Sequence, residues 1–315
     1  MDKIQTPFIL SSDILRARQQ GLPIVALEST VFTHGLPRPE NLILAEDMEN
    51  TVRLEGAIPA TIAVLDGKIQ IGLSRDQLQR LANADDAIKV SLRDFASAII
   101  QKKPGGTTVA GTMFAAQQTG IRVFATGGIG GVHKEARFDV STDLQALASI
   151  PIIVVCAGAK SILDLPATLE YLETMGVPVV GYGTDKFPEF FSLGNNHPVS
   201  IQLDTPREVI KFANTHWELG MKSAVLVCQP IPVDYSIPSN EIIDVLDQVS
   251  KEVSKLQSEH KIKGQEVTPY ELRRVNELTN GRSLQANLEL LLNNARLAAH
   301  LARELADSHH RPNIL

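Results

Sequence analysis

The sequence has little cysteine and no excess of positive charge. Only two of its 315 residues are cysteine. Cys156 and Cys228 each lie in an apolar run, so we expect buried, unreactive thiols rather than a disulfide framework. The formal net charge is −6. Because a nucleic-acid or anionic-membrane partner requires a basic face, we expect no such partner and favour a small molecule.

Long hydrophobic runs are also missing. The longest apolar run, around residues 150–159, is too short to span a bilayer. The N-terminal residues MDKIQTPFIL lack the basic segment and long apolar core of a secretory signal. We therefore expect a cytoplasmic protein without a membrane anchor. Residues 1–315 are enough to bury a large core, and we expect them to form a single domain.

Short β-branched runs alternate with helix-length stretches, which predicts an α/β fold with three layers (α/β/α) around a mainly parallel sheet. Asp66-Gly67 indicates one antiparallel hairpin, and Ser74 with Gln77 resembles a capping box. Long helices are expected after Pro238, over 239–258, 269–278 and 283–307, so the C-terminal region (about 239–308) should be helical. The predicted strands are 23–28, 60–65, 87–90, 122–126, 152–156, 177–182 and 223–228, and the predicted helices between them are 39–55, 107–119, 160–175 and 205–219.

In open α/β sheets, ligands bind where the carboxyl ends of the strands meet the loops. The end RVFATGGIGGVHKEARFDVSTDL (122–144) carries a glycine cluster at 127–131. These glycines either leave backbone N–H groups open to an anion or form a tight turn packed on the sheet. Asp139, Ser141 and Asp143 alternate, and would point to one side of an extended segment. Ser141 or Asp143 could instead cap a helix over 142–149.

Two other strand ends offer charged or polar groups. Glu28 ends the run PIVALE. If it is partly buried, its pKa is raised and it can act as a general acid; otherwise it is an edge carboxylate paired with an arginine. Lys89 lies in an otherwise apolar strand, and Thr107 and Thr108 stand at a helix start. A cation, hydroxyl groups and a helix N-terminus together suit a phosphate.

Lys160 stands between the apolar strand IIVVC and the helix expected over 160–175. A helix N-terminus and apolar neighbours both disfavour the charged ammonium, so we expect a lowered pKa and a nucleophilic amine. The alternative is a lysine whose stem covers the helix start while its ammonium reaches solvent. The stretch alone leaves both interpretations open.

Taken together, the motifs resemble one family. VALESTVFTHGLPRPEN, FATGGIGGVH, FDVSTDL, VVCAGAKSILDLPATLEYLE and GRSLQANLELLLNNARLAA are similar to segments of the pseudouridine-5'-phosphate glycosidases, also called the indigoidine synthase A family. The resemblance extends over about residues 10–307. The loop between His133 and Asp139 looks shorter than in bacterial members.

The resemblance implies a homotrimer that binds a divalent metal, usually Mn²⁺, and cleaves pseudouridine 5'-phosphate to uracil and ribose 5-phosphate. It implies that Lys160 is the covalent nucleophile, Glu28 the proton donor and Asp139 the metal ligand. The implied substrate contacts are Lys89, Val109, Ser141, Thr142 and Asp143. Further implied pocket residues are Thr108, Thr126, His133 and Asn287.

Two other functions remain as alternatives. A phosphosugar or nucleoside kinase would use the glycine cluster for ATP, although the sequence lacks a Walker A motif. A non-catalytic accessory protein of pigment biosynthesis would keep the fold but release no uracil. The glycosidase is distinguished from both by free uracil formed from pseudouridine 5'-phosphate.

Overall fold

The computed structural model of the chain describes residues 7–134, 139–194, 197–259, 261–262 and 267–310. The strands are β1 Phe8–Leu10, β2 Ile24–Leu27, β3 Ile58–Leu65, β4 Lys68–Ile71, β5 Ile88–Val90, β6 Gly105–Thr107, β7 Val123–Ala125, β8 Val132–His133, β9 Ile153–Cys156, β10 Leu163–Asp164, β11 Val179–Tyr182, β12 Ile201–Leu203 and β13 Val225–Cys228. The helices are α1 Ser12–Gln20, α2 Thr30–His34, α3 Glu40–Leu54, α4 Arg75–Ala82, α5 Phe95–Gln101, α6 Val109–Gln118, α7 Thr142–Ser149, α8 Leu165–Thr174, α9 Pro206–Glu218, α10 Ser239–Ser258, α11 Val267–Leu278 and α12 Arg282–His310.

The main sheet is parallel through its centre. Its strand order is β1-β4-β3-β2-β7-β9-β13-β11-β12, with β6 joined to β3 and β5 to β6. All neighbours from β3 through β2 to β12 pair in parallel. β3 and β4 form the predicted antiparallel hairpin, and Asp66 and Gly67 both have positive φ, at 53° and 72°, as hairpin turns that match the strand twist require.

Alternate residues of the central strands enter two separate cores. Val25 and Leu27 of β2 face a core built with α3, α9, α10 and α12. Ala26 faces the opposite core, built with α1, α5, α6, α7 and α8. Because strand side chains alternate between faces, a strand buried on both sides is a continuous apolar run. The three-layer α/β/α architecture with a mainly parallel sheet is therefore confirmed.

Several local predictions are also confirmed. Ser74 and Gln77 form a reciprocal capping box at the start of α4. α10, α11 and α12 match the three predicted C-terminal helices, and the described residues after Pro238 contain no strand. Cys156 and Cys228 are free and buried on adjacent strands, with their sulfur atoms 3.8 Å apart. Burial raises the pKa of the Cys228 thiol well above its usual value, which agrees with an unreactive core thiol.

Two predicted helix starts are wrong. The helix expected from residue 160 begins at Leu165, after β10, and Asp164 caps it by accepting from the Ala167 N–H at 3.0 Å. Lys160 therefore does not lie at a helix N-terminus. The helix expected from residue 107 begins at Val109, because Thr107 is the last residue of β6. In both places the chain first forms a short strand, β10 or β6, whose partner strands are distant in sequence. The local sequence does not indicate these pairings.

Among the described residues, no helix combines the length and the apolar character needed to cross a bilayer.

Candidate active site

The strand ends enclose a cavity of about 510 Å³. Its floor is formed by loops that follow β2, β7 and β9, and by β5 and the start of α6. Residues of α10 and α11 cover it from above. The predicted site residues that line it are Glu28, Lys89, Thr108, Val109, His133, Asp139, Ser141, Thr142, Asp143 and Lys160.

Glu28 lies directly after β2 and is 6% exposed. Burial raises the pKa of its carboxyl, while the nearby Lys160 ammonium and a hydrogen bond from the Thr126 hydroxyl to its Oε1 partly oppose that rise. The alternative of an arginine-paired edge carboxylate is wrong, since the cations that act on Glu28 are Lys160 and Lys89. A raised pKa favours the protonated carboxyl, which is the form that a general acid requires.

Lys160 is positioned by two loops that run side by side above the sheet. The Lys160 N–H donates to the Ile129 carbonyl at 3.1 Å, and the Ile129 N–H donates to the Gly158 carbonyl at 3.0 Å. Farther on, β8 and β10 pair, with His133 opposite Leu163. The half-buried Lys160 side chain lines the cavity together with Glu28. Backbone pairing, rather than a helix end, directs this lysine into the site.

The glycine cluster (127–131) belongs to the loop that pairs with the Lys160 loop. A Cβ at Gly128 would overlap the Phe190 ring, and one at Gly130 would overlap the Ser141 hydroxyl. The Gly130 N–H donates to Asp143 Oδ2 at 2.9 Å. These contacts favour the close-packing interpretation at Gly128 and Gly130, because side chains would prevent the close approach of these segments.

Asp143 ties three segments of the floor together. Its Oδ1 accepts from the Ala110 N–H at 2.9 Å and its Oδ2 accepts from Gly130. Ser141 caps α7 by accepting from the Asp143 N–H at 3.2 Å, so one of the capping alternatives holds for Ser141. Asp139 and Ser141 precede the helix and Asp143 lies in its first turn. The three side chains line the cavity, although the segment is not extended throughout.

Cations and hydroxyl groups lie on one side of the cavity. Lys89 projects from β5, and burial and the proximity of Lys160 lower the pKa of its ammonium. Thr108 caps α6 through its hydroxyl, which accepts from the Gly111 N–H at 3.2 Å. Arg93 lines the same cavity. Positive side chains beside a helix N-terminus suit a phosphate. Thr107 does not contribute, because its buried hydroxyl donates to the Ile62 carbonyl at 2.8 Å.

A smaller, more apolar recess of about 60 Å³ adjoins the main cavity. Glu28, Lys89 and Lys160 line both spaces. The walls of the recess include the aromatic rings of Phe190 and Phe191 and the aliphatic side chains of Leu272 and Val275 on α11, with Asn287 supplying an amide. Flat apolar walls and one amide suit a planar heterocycle. Thr126, also predicted as a pocket residue, lines neither space and lies behind Glu28.

Among the lining residues that were not predicted, His34 and Glu271 are titratable groups with shifted pKa values. His34 lines the recess, and burial and the nearby Lys89 charge lower the pKa of its imidazole. Glu271 on α11 lines the main cavity and is 8% exposed. Burial raises the pKa of its carboxyl to about 7. The sequence holds a signal for Glu271, because Val267, Glu271 and Val275 share one face of a helix.

Asp139 is the candidate metal ligand. Its exposed side chain lines the cavity, and its carbonyl accepts from the His133 N–H at 3.0 Å. The described residues contain no cluster of three or more histidine, cysteine or acidic side chains that could hold a metal. One accessible carboxylate fits a hard divalent ion that retains several waters, not a fully protein-enclosed site. Residues 135–138, which complete the loop before Asp139, lie outside the described residues.

The chain is similar to known proteins over nearly its full length. The family model of the indigoidine synthase A like proteins matches residues 13–304. A pseudouridine-5'-phosphate glycosidase of Solibacter usitatus is 50% identical over 298 residues, covering 94% of this chain and 98% of the relative. One of Geobacillus kaustophilus is 50% identical over 300 residues, covering 95% and 98%.

Two solved structures share the fold. An indigoidine synthase A-like protein of Thermotoga maritima superposes with a TM-score of 0.87 at 37% identity, covering 97% of this chain and 99% of the other. The prealnumycin C-glycosynthase AlnA, solved with ribulose 5-phosphate, superposes with a TM-score of 0.88 at 34% identity, covering 98% and 99%.

Proposed function

The chain belongs to the indigoidine synthase A-like family, and on this basis we propose that it reversibly cleaves pseudouridine 5'-phosphate to uracil and ribose 5-phosphate. The observation that carries the proposal is the placement of Glu28 and Lys160 on one cavity, with Lys89 and the N-terminus of α6 beside them. This arrangement offers an acid, an amine and a phosphate site within reach of one ligand. The kinase and the non-catalytic accessory protein are not favoured by the relatives.

The chemistry follows from the carbon–carbon link between ribose and base. With no leaving nitrogen or oxygen to protonate, the two-carboxylate glycosidase scheme does not apply. Glu28 protonates the ribose ring oxygen, the ring opens, and C1′ becomes an electrophile conjugated with the base. Lys160 Nζ, as the neutral amine, adds to C1′ and gives up a proton to the Glu28 carboxylate, which restores the acid.

Cleavage then requires a proton on the base. Glu28 donates the regained proton to C5 of uracil. The electron pair of the C1′–C5 bond returns to the ring while the nitrogen lone pair forms C1′=N. Uracil leaves, and water hydrolyses the lysine imine to ribose 5-phosphate and free Lys160. Covalent catalysis by an amine divides one difficult bond cleavage into easier steps. The net reaction consumes one water, although the carbon–carbon bond itself breaks as in a lyase.

A divalent ion, with Mn²⁺ as the expected one, fits beside the sugar phosphate at Asp139. When bound, it would neutralise negative charge on the substrate. We expect EDTA to abolish activity and Mn²⁺ to restore it, whereas Asp139→Ala stays inactive with added metal. The exposed Asp76 on α4 provides the matched control Asp76→Ala. Full activity in metal-free buffer would contradict the assignment.

A homotrimer and a cytoplasmic location are the remaining parts of the proposal, supported by the family resemblance. Light scattering coupled to size exclusion tests the first, and fractionation of the source cells tests the second. A monomer or a dimer at assay concentration contradicts the trimer.

The direct test of the function is uracil release. The protein is incubated with pseudouridine 5'-phosphate and Mn²⁺, and uracil is quantified by chromatography; the reverse reaction starts from uracil and ribose 5-phosphate. We expect turnover in both directions and none with Lys160→Ala. Absence of uracil release by the unaltered protein, or ATP turnover with a sugar acceptor, would overturn the proposal.

A further inference from the structure

Asn294 is a buried amide on an otherwise apolar helix face. It lies on α12, which packs against β2, β7 and β9 beneath the cavity, and it is 1% exposed. Its neighbours on that face, including Leu290, Leu291 and Ala298, belong to the core. An amide in such surroundings costs free energy unless its polar atoms are hydrogen-bonded.

Only one end of this amide is bonded. Asn294 Nδ2 donates to the Thr126 carbonyl at 2.8 Å and lies 3.4 Å from the Gly127 carbonyl. Its Oδ1 is buried with no partner among the described residues. An amide with only one end hydrogen-bonded stabilises a core poorly. Core stability therefore does not explain Asn294, and we look for its role in the segment to which it donates.

That segment carries the hydroxyl that bonds Glu28. Thr126 is fully buried and is fixed at three points. Its N–H donates to the Val155 carbonyl at 3.0 Å, its carbonyl accepts from Asn294, and its hydroxyl donates to Glu28 Oε1. Past β7 the pairing with the lysine loop continues, since the Ala157 N–H donates to the Gly127 carbonyl at 2.8 Å. The Thr126 carbonyl takes no part in that pairing; among the described residues its donor is the Asn294 amide.

We propose that Asn294 is a positioning residue for the reaction, which holds the Thr126 peptide so that the Thr126 hydroxyl keeps Glu28 aimed at the substrate. The inference rests on the proposed function. Asn294 touches neither cavity and acts only through Thr126. If Asn294 acts only through Thr126, the losses in kcat caused by substituting the two residues should not multiply in the double variant.

A double-mutant cycle tests this dependence. Asn294→Leu removes the donor at similar volume, Thr126→Val removes the hydroxyl at similar volume, and the two are combined. Asn293→Leu is the matched control, because Asn293 is the preceding residue of α12 and donates at 3.3 Å to the Pro230 carbonyl. Where Asn294→Leu does not fold, Asn294→Ala takes its place in the cycle.

We expect Asn294→Leu to lower kcat about 10- to 100-fold, as small displacements of a catalytic group do, with KM changed less than about threefold. The double variant should be no slower than Thr126→Val alone, because both substitutions interrupt the same hydrogen-bond chain from Asn294 through Thr126 to Glu28. Asn293→Leu should retain kcat. The proposal is overturned if Asn294→Leu retains kcat, or if the losses of the two variants multiply.

A second readout does not depend on turnover. The infrared carbonyl band of the protonated Glu28 carboxyl, identified by its absence in Glu28→Gln, is followed against pH. Donation from Thr126 favours the ionised carboxylate, so the pH at which the band disappears should rise in Thr126→Val and equally in Asn294→Leu. No rise in Asn294→Leu overturns the inference. If the unaltered protein releases no uracil, the proposed function fails, while this band still decides the role of Asn294.

Discussion

The floor and the roof of the cavity are held in different ways. The floor consists of the loops that follow β2, β7 and β9, together with β5 and the start of α6. There, Asp143 accepts two backbone N–H groups, Glu28 accepts from Thr126, and backbone pairs join the glycine and lysine loops. Each of the acidic side chains Glu28 and Asp143 has a fixed hydrogen-bond donor.

The roof consists of α10 and α11. Its helices are joined by the Arg274–Glu252 ion pair at 2.7 Å, and the hydrogen bonds from Arg274 lower the pKa of Glu252 to about 2. This pair is partly solvent-exposed, so it contributes little to stability. Glu271, which faces the cavity from the roof, has an Oε2 without a hydrogen-bond partner among the described residues.

The contrast between Glu28 and Glu271 shows what the floor adds. Burial raises the pKa of both carboxyls. At Glu28, hydrogen bonding and two lysine charges act on the same group, so its protonation is coupled to Lys160 and Lys89. At Glu271 burial acts alone. We infer that the covalent chemistry depends on the floor, and that the roof mainly excludes water.

The largest effect should come from Lys160. Lys160→Met keeps the length and apolar stem of the side chain but removes the amine. We expect kcat to fall on the order of 10⁴-fold or more, since no other group replaces a covalent nucleophile. Lys134→Met, at the exposed rim of the same cavity, is the control and should lose far less. A Lys160→Met enzyme within tenfold of the unaltered rate would mean that the floor does not supply the nucleophile.

Glu28→Gln should have the next largest effect. The substitution preserves shape but removes the transferable proton, so we expect about a 10²- to 10⁴-fold loss in kcat. The alternative result is informative: if Glu271→Gln, and not Glu28→Gln, abolishes turnover, then the acid belongs to the roof. Steady-state rates of uracil release compare the two variants directly.

Loss of the phosphate site should have a moderate effect. Lys89→Met removes a charge-assisted hydrogen bond to the 5'-phosphate of roughly 1.5–3 kcal/mol, or about 10- to 150-fold in kcat/KM. Unphosphorylated pseudouridine should be a poor substrate for the unaltered protein, and Lys89→Met should barely change its rate. Equal kcat/KM values for pseudouridine and pseudouridine 5'-phosphate would contradict the assignment of a phosphate site beside Lys89.

The smallest effect is on stability and belongs to the roof. Because the folded pKa of Glu271 is about 7, the folded state binds an extra proton between the unfolded pKa and pH 7, and stability falls as pH rises through that window. Glu271→Gln cannot ionise, so it lacks this loss of stability. We expect the free energy of unfolding of Glu271→Gln, relative to the unaltered protein, to be about 2 kcal/mol more favourable at pH 8 than at pH 5.

The control for this experiment is Glu277→Gln, which alters an exposed carboxylate on the same helix and should show little pH dependence. Thermal unfolding midpoints at the two pH values give the comparison. An equal effect of Glu271→Gln at pH 5 and pH 8 would show that burial does not raise the pKa of the Glu271 carboxyl.

Much of the fold follows from local sequence. The strand runs are apolar on both faces, and the turn at Asp66-Gly67 and the cap at Ser74 are local signals that the structure confirms. β6 is different, because no strand was predicted there and two of its three residues, Gly105 and Gly106, belong to a type that is depleted in strands. A Cβ at Gly105 would overlap the Val90 side chain of β5, and one at Gly106 would overlap the Thr33 hydroxyl of α2.

The site was less predictable than the fold. The chemical types at Glu28, Lys89 and Lys160 were visible at strand ends, but the pairing of the lysine loop with the glycine loop joins segments about 30 residues apart in sequence and leaves no local periodicity. The role of Thr126 behind Glu28, instead of in the pocket, likewise depends on how β2 and β7 pair. Such non-local contacts decide which of several suitable side chains meet.

Borohydride trapping tests the central claim, that Lys160 on the floor forms the imine, most directly. The protein is mixed with ribose 5-phosphate or with pseudouridine 5'-phosphate under turnover, reduced, digested and mapped by mass spectrometry. We predict a ribose 5-phosphate adduct on the peptide containing CAGAKSILDL (156–165), and none in Lys160→Met. An adduct on Lys89 instead, or no adduct anywhere during active turnover, would contradict the account.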